Sequence, residues 1–299
     1  MQSKILLLGA HGQVGRALQA PLAKMGKLTT ISRADCDLAN ADQLAALLTA
    51  SQADIIVNAA AYTQVDQAET EPEFCHVINT ALPAQLAEFA KKHNAVLMDY
   101  STDYVFDGTK PDAYTEQDNP SPLGVYGASK QAGLQAIIDS GGPYIVPRVS
   151  WVYSSAANNF ATTILRLAKS RTELKVVDDQ YGAPTSAAFI ADTSAKLLQR
   201  YLSGNCDEGV YHMAPSGVTT WHGFATALVQ AALNAGIELA LTIEDIHPIS
   251  SSQYPFVAPR PLNSRMDTSK LQLVLGEALP SWQQPIDHTI NEWNTYEQA

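Results

Sequence analysis

Gly9-Ala10-His11-Gly12-Gln13-Val14-Gly15 stands directly after the aliphatic run Lys4–Leu8 and opens an amphipathic stretch, Gln13–Met25. Glycines at a strand-to-helix turn let the backbone bend sharply and approach a ligand closely. The helix start that follows offers free N–H groups and a partial positive charge. A glycine triplet alone is a weak signal, but at the first turn of a βαβ unit it points to a dinucleotide pyrophosphate. Gly9, His11, Gly12, Gln13, Val14 and Gly15 are therefore the candidate phosphate cradle.

The rest of the first half repeats that strand–helix rhythm. Leu28–Ile31, Asp54–Val57, Ala95–Asp99 and Tyr144–Val149 read as strands. Ala41–Thr49, Pro83–Lys92 and Val125–Ser140 read as helices. Consecutive aliphatics such as Ile55-Ile56-Val57 suit strands buried on both faces. The expected fold is α/β, a doubly wound parallel sheet, with a dinucleotide-binding domain over 1–150. The second half is less regular. Helices are expected over Asn159–Ser170, Ala187–Tyr201, Thr220–Ala235 (capped by Thr219 or Thr220) and Ser281–Trp293, and strands over Leu174–Val177 and Val210–Met213. The proline-rich segment His247–Pro261 is expected as an extended loop. With no linker in sight, residues 151–299 should form a smaller, interleaved substrate-binding part, with about 172–213 returning to the first domain.

Composition narrows the function class. The 299 residues are 46% hydrophobic and 16% charged, with a formal net charge of −11. An acidic surface argues against nucleic acid or membrane as partner. Cys36, Cys75 and Cys206 lack metal or disulfide spacing, and the short run before Gly9 does not read as a secretion signal, so a cytoplasmic protein is expected. His11 lies in the glycine loop. The other histidines are scattered without ligand spacing, and no metal is expected.

Near the end of the second strand stand Ser32 and Arg33, where a 2′-phosphate would lie. The expectation is NADPH, with NADH also possible; the alternative is that Arg33 is only a solvated surface residue. Tyr126-Gly127-Ala128-Ser129-Lys130 places a phenol and an ammonium four residues apart, on one helical face. An adjacent ammonium favours phenolate, and so should lower the Tyr126 pKa from its ordinary value near 10. Thr102 ends the fourth strand, at the edge where such sheets bind ligands.

These residues resemble the extended short-chain dehydrogenase/reductase superfamily and, within it, the dTDP-4-dehydrorhamnose reductase family. The resemblance runs nearly end to end through Val57–Asp66, Tyr100–Phe106, Pro122–Lys130, Arg148–Tyr153, Asn158–Phe160, Asp179–Thr185 and Arg260–Arg265. It implies a catalytic triad of Thr102, Tyr126 and Lys130. It implies cofactor contacts from Asp37, Leu38, Ala59, Ala60 and Ala61, with Asn79 supporting that side of the cleft. Thr63, Val65, Asp103 and Trp151 would line the sugar, together with Thr102. Asn159, Gln180 and Arg260 would meet the nucleotide diphosphate. The implied reaction is hydride transfer from NAD(P)H to the 4-keto carbon of dTDP-6-deoxy-L-lyxo-4-hexulose, giving dTDP-L-rhamnose, in a monomer or weak homodimer.

Two details refine this. Related 4,6-dehydratases carry Asp-Glu after the strand-end threonine, whereas Thr102 is followed here by Asp103-Tyr104, so the eliminating base is missing and simple reduction is favoured. Some relatives hold Mg²⁺ through glutamates at positions that are Ala17 and Ala188 here, and alanine cannot ligate a cation. Another nucleotide-sugar ketoreductase, an epimerase, or a non-catalytic NADP-binding subunit remain as alternatives.

Overall fold

The computed structural model describes residues 2–298. Its centre is a seven-stranded, wholly parallel sheet. The elements of the first half are β1 (Lys4–Leu8), α1 (Gln13–Ala23), β2 (Lys27–Ile31), α2 (Ala41–Ser51), β3 (Ile55–Asn58), α3 (Leu82–His93), β4 (Val96–Asp99), α4 (Val125–Ser140) and β5 (Tyr144–Val149). The second half adds α5 (Phe160–Ser170), β6 (Leu174–Val177), α6 (Ala187–Leu202), β7 (Gly209–His212), α7 (Trp221–Asn234), β8 (Ile246–Ile249), α8 (Ser269–Leu275) and α9 (Ile286–Gln298). Strand order is β7-β5-β4-β3-β1-β2, and the two-residue strand Ser101–Thr102 continues beyond β4 to pair with β5.

Side-chain alternation explains the two helical layers. Ile5, Leu7, Ile55, Val57 and Met98 pack on one face, with Leu18 and Leu22 of α1 and Ile190, Leu197 and Leu198 of α6. Leu6, Leu8, Ile56, Leu97 and Val146 pack on the other, with Leu44 of α2, Leu86 of α3 and Leu134 of α4. A strand buried on both faces must be apolar throughout, as these are. A separate core gathers Leu165, Leu174, Phe224, Leu228, Trp282 and Ile290 from the second half. Within 172–213, α6 and β7 join the large sheet's layers, whereas β6 pairs with β8.

Two expectations are corrected here. The segment expected as a loop from His247 begins as a strand, because β8 bonds only to β6 and an edge position tolerates Pro248. The last helix starts at Ile286 instead of Ser281: Ser281–Gln284 forms a turn, and Pro285 disfavours helix in the residue before it. Among the described residues, no helix is long and apolar enough to cross a membrane.

Candidate active site

Ligand sites in open parallel sheets lie where strand order reverses, beyond the strands' carboxyl ends. Here that point falls between β1 and β3. The glycine loop leaves β1 with Gly9 at φ +70°, and a Cβ on Gly9 would stand 2.6 Å from the Ala60 nitrogen. The Gly9 loop and the Ala59–Ala61 segment are thus backbone against backbone. No side chain caps the first turn of α1, and His11 and Gly12 are exposed, which leaves that turn's N–H groups to a ligand. This open, uncapped cradle fits a dinucleotide pyrophosphate. Gln13 turns away from it: its Oε1 accepts from Ser154 Oγ (2.8 Å) and Asn159 Nδ2 (3.0 Å).

At the ribose end Arg33 is exposed, while the Ser32 hydroxyl donates to Asp35 at 2.6 Å. That bond and the Ser32 N–H hold the Asp35 carboxyl below its ordinary range. Asp37 accepts from Ala39 N–H at the same corner, and Leu38 packs against the core beneath.

Thr102 and Tyr126 meet. Their side chains interact, and the Thr102 hydroxyl donates to Asp103 at 3.1 Å. α4 comes this close because Gly127 has no side chain: a Cβ there would lie 2.1 Å from the Tyr104 carbonyl oxygen. Glu69 accepts from Val125 N–H at 2.8 Å, a carboxylate at the positive end of α4. Burial pushes the Tyr126 phenol up, opposed by the neighbouring Thr102 hydroxyl, and Asp103, Tyr104 and Cys75 push the same way as burial. The expected lowering by Lys130 is not what this structure shows. Lys130 is turned to Asp99, with Nζ and Oδ2 3.6 Å apart. Burial raises Asp99, opposed first by Lys130 and then by Asn58. Burial also raises the Asp103 carboxyl, to about 6, and its Oδ2 has no hydrogen-bond partner.

A strap from the second half closes over these groups. Arg260 Nη2 lies 2.9 Å from Asp66 Oδ2, and its guanidinium rests on the Tyr104 and Phe256 rings. Tyr104 in turn packs edge-on against Tyr126. Ala258 N–H donates to Asp66, and Ser264 lies beside Asp103. The Arg260 side chain is 12% exposed, and Nη1 has no partner. Val65, Leu123 and Pro259 line the narrow crevice beside Tyr126.

The remaining candidates separate. Thr63 and Ala61 are exposed at the rim. Trp151, at φ +47° and only 9% exposed, stacks on Trp221 at 3.7 Å, so its ring is mostly engaged in packing. Trp221 donates to Gln180 Oε1, which leaves Gln180 Nε2 buried without a partner. Asn159 caps α5, and its amide also bonds Gln13 and Ser154; it is not brought to Tyr126. Asn79 clamps both backbone polar groups of Tyr62 and reaches Ser129, so it supports the cleft wall from behind.

The family model described as the RmlD substrate binding domain matches residues 3–295. The chain belongs to this RmlD family. It is 42% identical over 295 residues to the dTDP-4-dehydrorhamnose reductase of Salmonella typhimurium, covering 97% of this chain and 98% of that one. It is 41% identical over 293 residues to the dTDP-4-dehydrorhamnose reductase of Burkholderia thailandensis, covering 97% and 98%. The crystal structure of the Bacillus anthracis dTDP-4-dehydrorhamnose reductase in complex with NADP superposes with a TM-score of 0.88 at 33% identity, covering 98% of this chain and all of that one.

Within this RmlD-family fold, sequence reasoning missed Asn58, Asp66, Glu69 and Asp99. Asp66 and Asn58 fell inside a matched segment without a role, and Asp99 ended a strand as an acid in an otherwise aliphatic run. That last signal was visible, since a charge there must be paired or neutral.

Proposed function

We propose that this chain reduces the 4-keto group of a dTDP-linked 6-deoxyhexulose, dTDP-6-deoxy-L-lyxo-4-hexulose, to dTDP-L-rhamnose. The observation that carries the reading is the meeting of Thr102 and Tyr126 at the carboxyl edge of the sheet, beside an uncapped glycine cradle. NADPH, with NADH as a possible substitute, supplies the hydride when bound. The glycine loop, Ala59–Ala61, Ser32, Arg33, Asp37 and Leu38 would hold it.

The chain's own task is the proton. Tyr126 donates its hydroxyl proton to the oxygen of the carbonyl as that oxygen gains negative charge. Burial that keeps the phenol protonated suits this acid role. Thr102 holds the carbonyl oxygen in reach and stabilises the developing charge. Lys130 would bind the nicotinamide ribose. Val65, Thr63, Asp103 and Trp151 would flank the sugar. Arg260, with a free Nη1, is the strongest candidate for the diphosphate, ahead of Gln180 and Asn159. Residues 1–150 would carry the cofactor and 151–299 the substrate. The reading takes the protein as a monomer or weak homodimer in the cytoplasm.

NADPH consumption with the keto-sugar nucleotide, followed by NMR of the product's C4 configuration, tests the assignment. Tyr126→Phe is expected to lower kcat by roughly 10²–10⁴ with NADPH affinity kept. Near-normal turnover by that variant would remove Tyr126 from the chemistry.

A further inference from the structure

Asp99 and Asn58 are the last residues of neighbouring strands and stand directly opposite each other in the β3–β4 register. Asn58 Nδ2 donates to Asp99 Oδ1 at 2.5 Å, and the other carboxylate oxygen faces the Lys130 ammonium at 3.6 Å. Asn58 Oδ1 accepts the Ala60 N–H at 3.2 Å. A continuous polar chain therefore runs from the Ala59–Ala61 segment through Asn58 and Asp99 to Lys130. It is sealed: exposure is 1% at Asn58, 3% at Asp99 and 5% at Lys130. Buried ion pairs add little to stability compared with apolar residues of the same volume, so the fold alone does not call for a charge here.

We propose that Asp99 is a positioning residue that acts through Lys130: it fixes the ammonium's place, offsets its charge, and so sets the pH at which Tyr126 loses its proton. The proposal rests on the reductase reading above. An unopposed ammonium one helical turn from a phenol favours phenolate. Reduction needs the phenol and the reverse oxidation needs the phenolate, so a counter-charge behind Lys130 favours reduction. The groups that face Tyr126 are Thr102, Asp103 and Tyr104 from the strand end and turn, Cys75 from the short helix Pro72–His76, and Glu69, which lines the same crevice and accepts from Val125 N–H. Those around Asp99 are Lys130 from α4, Asn58 from β3 and Tyr100, the next residue in the chain. Asp103, at about 6, titrates on the acid side, which leaves the alkaline limb as the readout of Tyr126.

The experiment compares wild type, Asp99→Asn and Asp99→Glu in two ways. One is the pH profile of kcat/KM for NADPH-dependent reduction. The other is tyrosinate ultraviolet absorbance of the NADP⁺-bound protein, taken as a difference against the same protein carrying Tyr126→Phe. A unit charge acting over about 10 Å at an effective dielectric near 20 moves a pKa by about one unit. Asp99→Asn is therefore expected to move both the alkaline limb and the tyrosinate titration down by about one pH unit. Asp99→Glu should lower kcat yet leave the limb in place. A limb and titration that stay put, or move up, in a cooperatively folded Asp99→Asn protein overturn the proposal. Asp99→Ser makes the same charge change with room for a water and replaces the amide if that variant does not fold. Failure of both to fold makes Asp99 a structural counter-ion only and also overturns it. A wild type inactive on the keto-sugar sinks the reductase reading, whereas the tyrosinate titration still decides the role of Asp99.

Discussion

The floor and the roof of this site are built by different means. The floor, made of the glycine loop, the Ala59–Ala61 segment and the strand end at Thr102, is set by backbone approach: Gly9 presses on Ala60, and Gly127 lets α4 reach Tyr104. The roof, Tyr254–Arg265, is anchored at its far end by backbone pairing of Leu262, Ser264 and Arg265 with Tyr181 and Tyr114, but over the site it is held by side chains reaching across the fold: Arg260 to Asp66, and Asn263 to the carbonyls of Lys110 and Asp112. Backbone contacts tolerate no added atom, while side-chain latches can open and close. The floor therefore suits a cofactor held in one geometry, and the roof suits a substrate that must enter and leave.

The largest effect should come from adding one side chain to the floor. A Cβ at position 15 would lie 2.1 Å from the Gly9 carbonyl oxygen, a backbone atom that cannot swing aside. Gly15→Val should weaken NADPH binding by roughly 100-fold or more, the scale of an ångström misplacement in a preorganised site. Titration calorimetry reads this directly. If affinity is kept, the loop is not the rigid element described above.

Arg260→Met tests the roof with a smaller effect and a different signature. It keeps an unbranched apolar side chain beside Tyr104 and Phe256 while removing the guanidinium, and with it the Asp66 pair and the free Nη1. KM for the keto-sugar nucleotide should rise roughly 10–100-fold with kcat changed by less than about 3-fold, because a diphosphate contact is made equally in the ground and transition states. NADPH affinity should not change. A kcat loss without a KM change would place Arg260 with the chemistry and erase the distinction between floor and roof.

The same division explains what could be read in the sequence. β1, α4, β5 and β6 were legible, because aliphatic runs and helical spacing are local patterns. Gly9, Thr102, Tyr126 and Lys130 were legible because their spacing encodes a turn and a helical face. The strand at Ile246–Ile249 was not, since only its partner β6 reveals that it is an edge. The five-residue π-helical turn Val77–Ala81, which carries Asn79 to Tyr62 and Ser129, was not legible either. It lies within an otherwise α-helical run, and nothing local specifies the wider turn. The Lys130 environment was misread for a related reason. The helix spacing pointed the ammonium at Tyr126, but its nearest charge comes from a strand 31 residues earlier in the chain.

Asp103 lies on the seam, accepting from Thr102 below with Ser264 beside it above, and the effect expected of it is on stability instead of on binding. Burial raises its carboxyl to about 6 from 3.8. A group whose folded pKa is raised stabilises the fold fully below the unfolded value and loses that contribution as pH climbs through the folded one. Wild type should thus lose stability from Asp103 between about pH 4 and 7, up to roughly 3 kcal/mol for about two units. Asp103→Asn cannot ionise, so the gap in Tm, variant minus wild type, should widen across that window. For a chain of this size that upper limit amounts to roughly 6–12 °C, at about 2–4 °C per kcal/mol. The unpartnered position at Oδ2 would receive an amide with no acceptor, a cost of about 1–3 kcal/mol that does not vary with pH. The slope of the gap, and not its sign at one pH, is therefore the measurement. A flat gap from pH 4 to 7 would mean that water reaches Asp103 through the strap, and that the roof is open over the very residue that joins it to the floor.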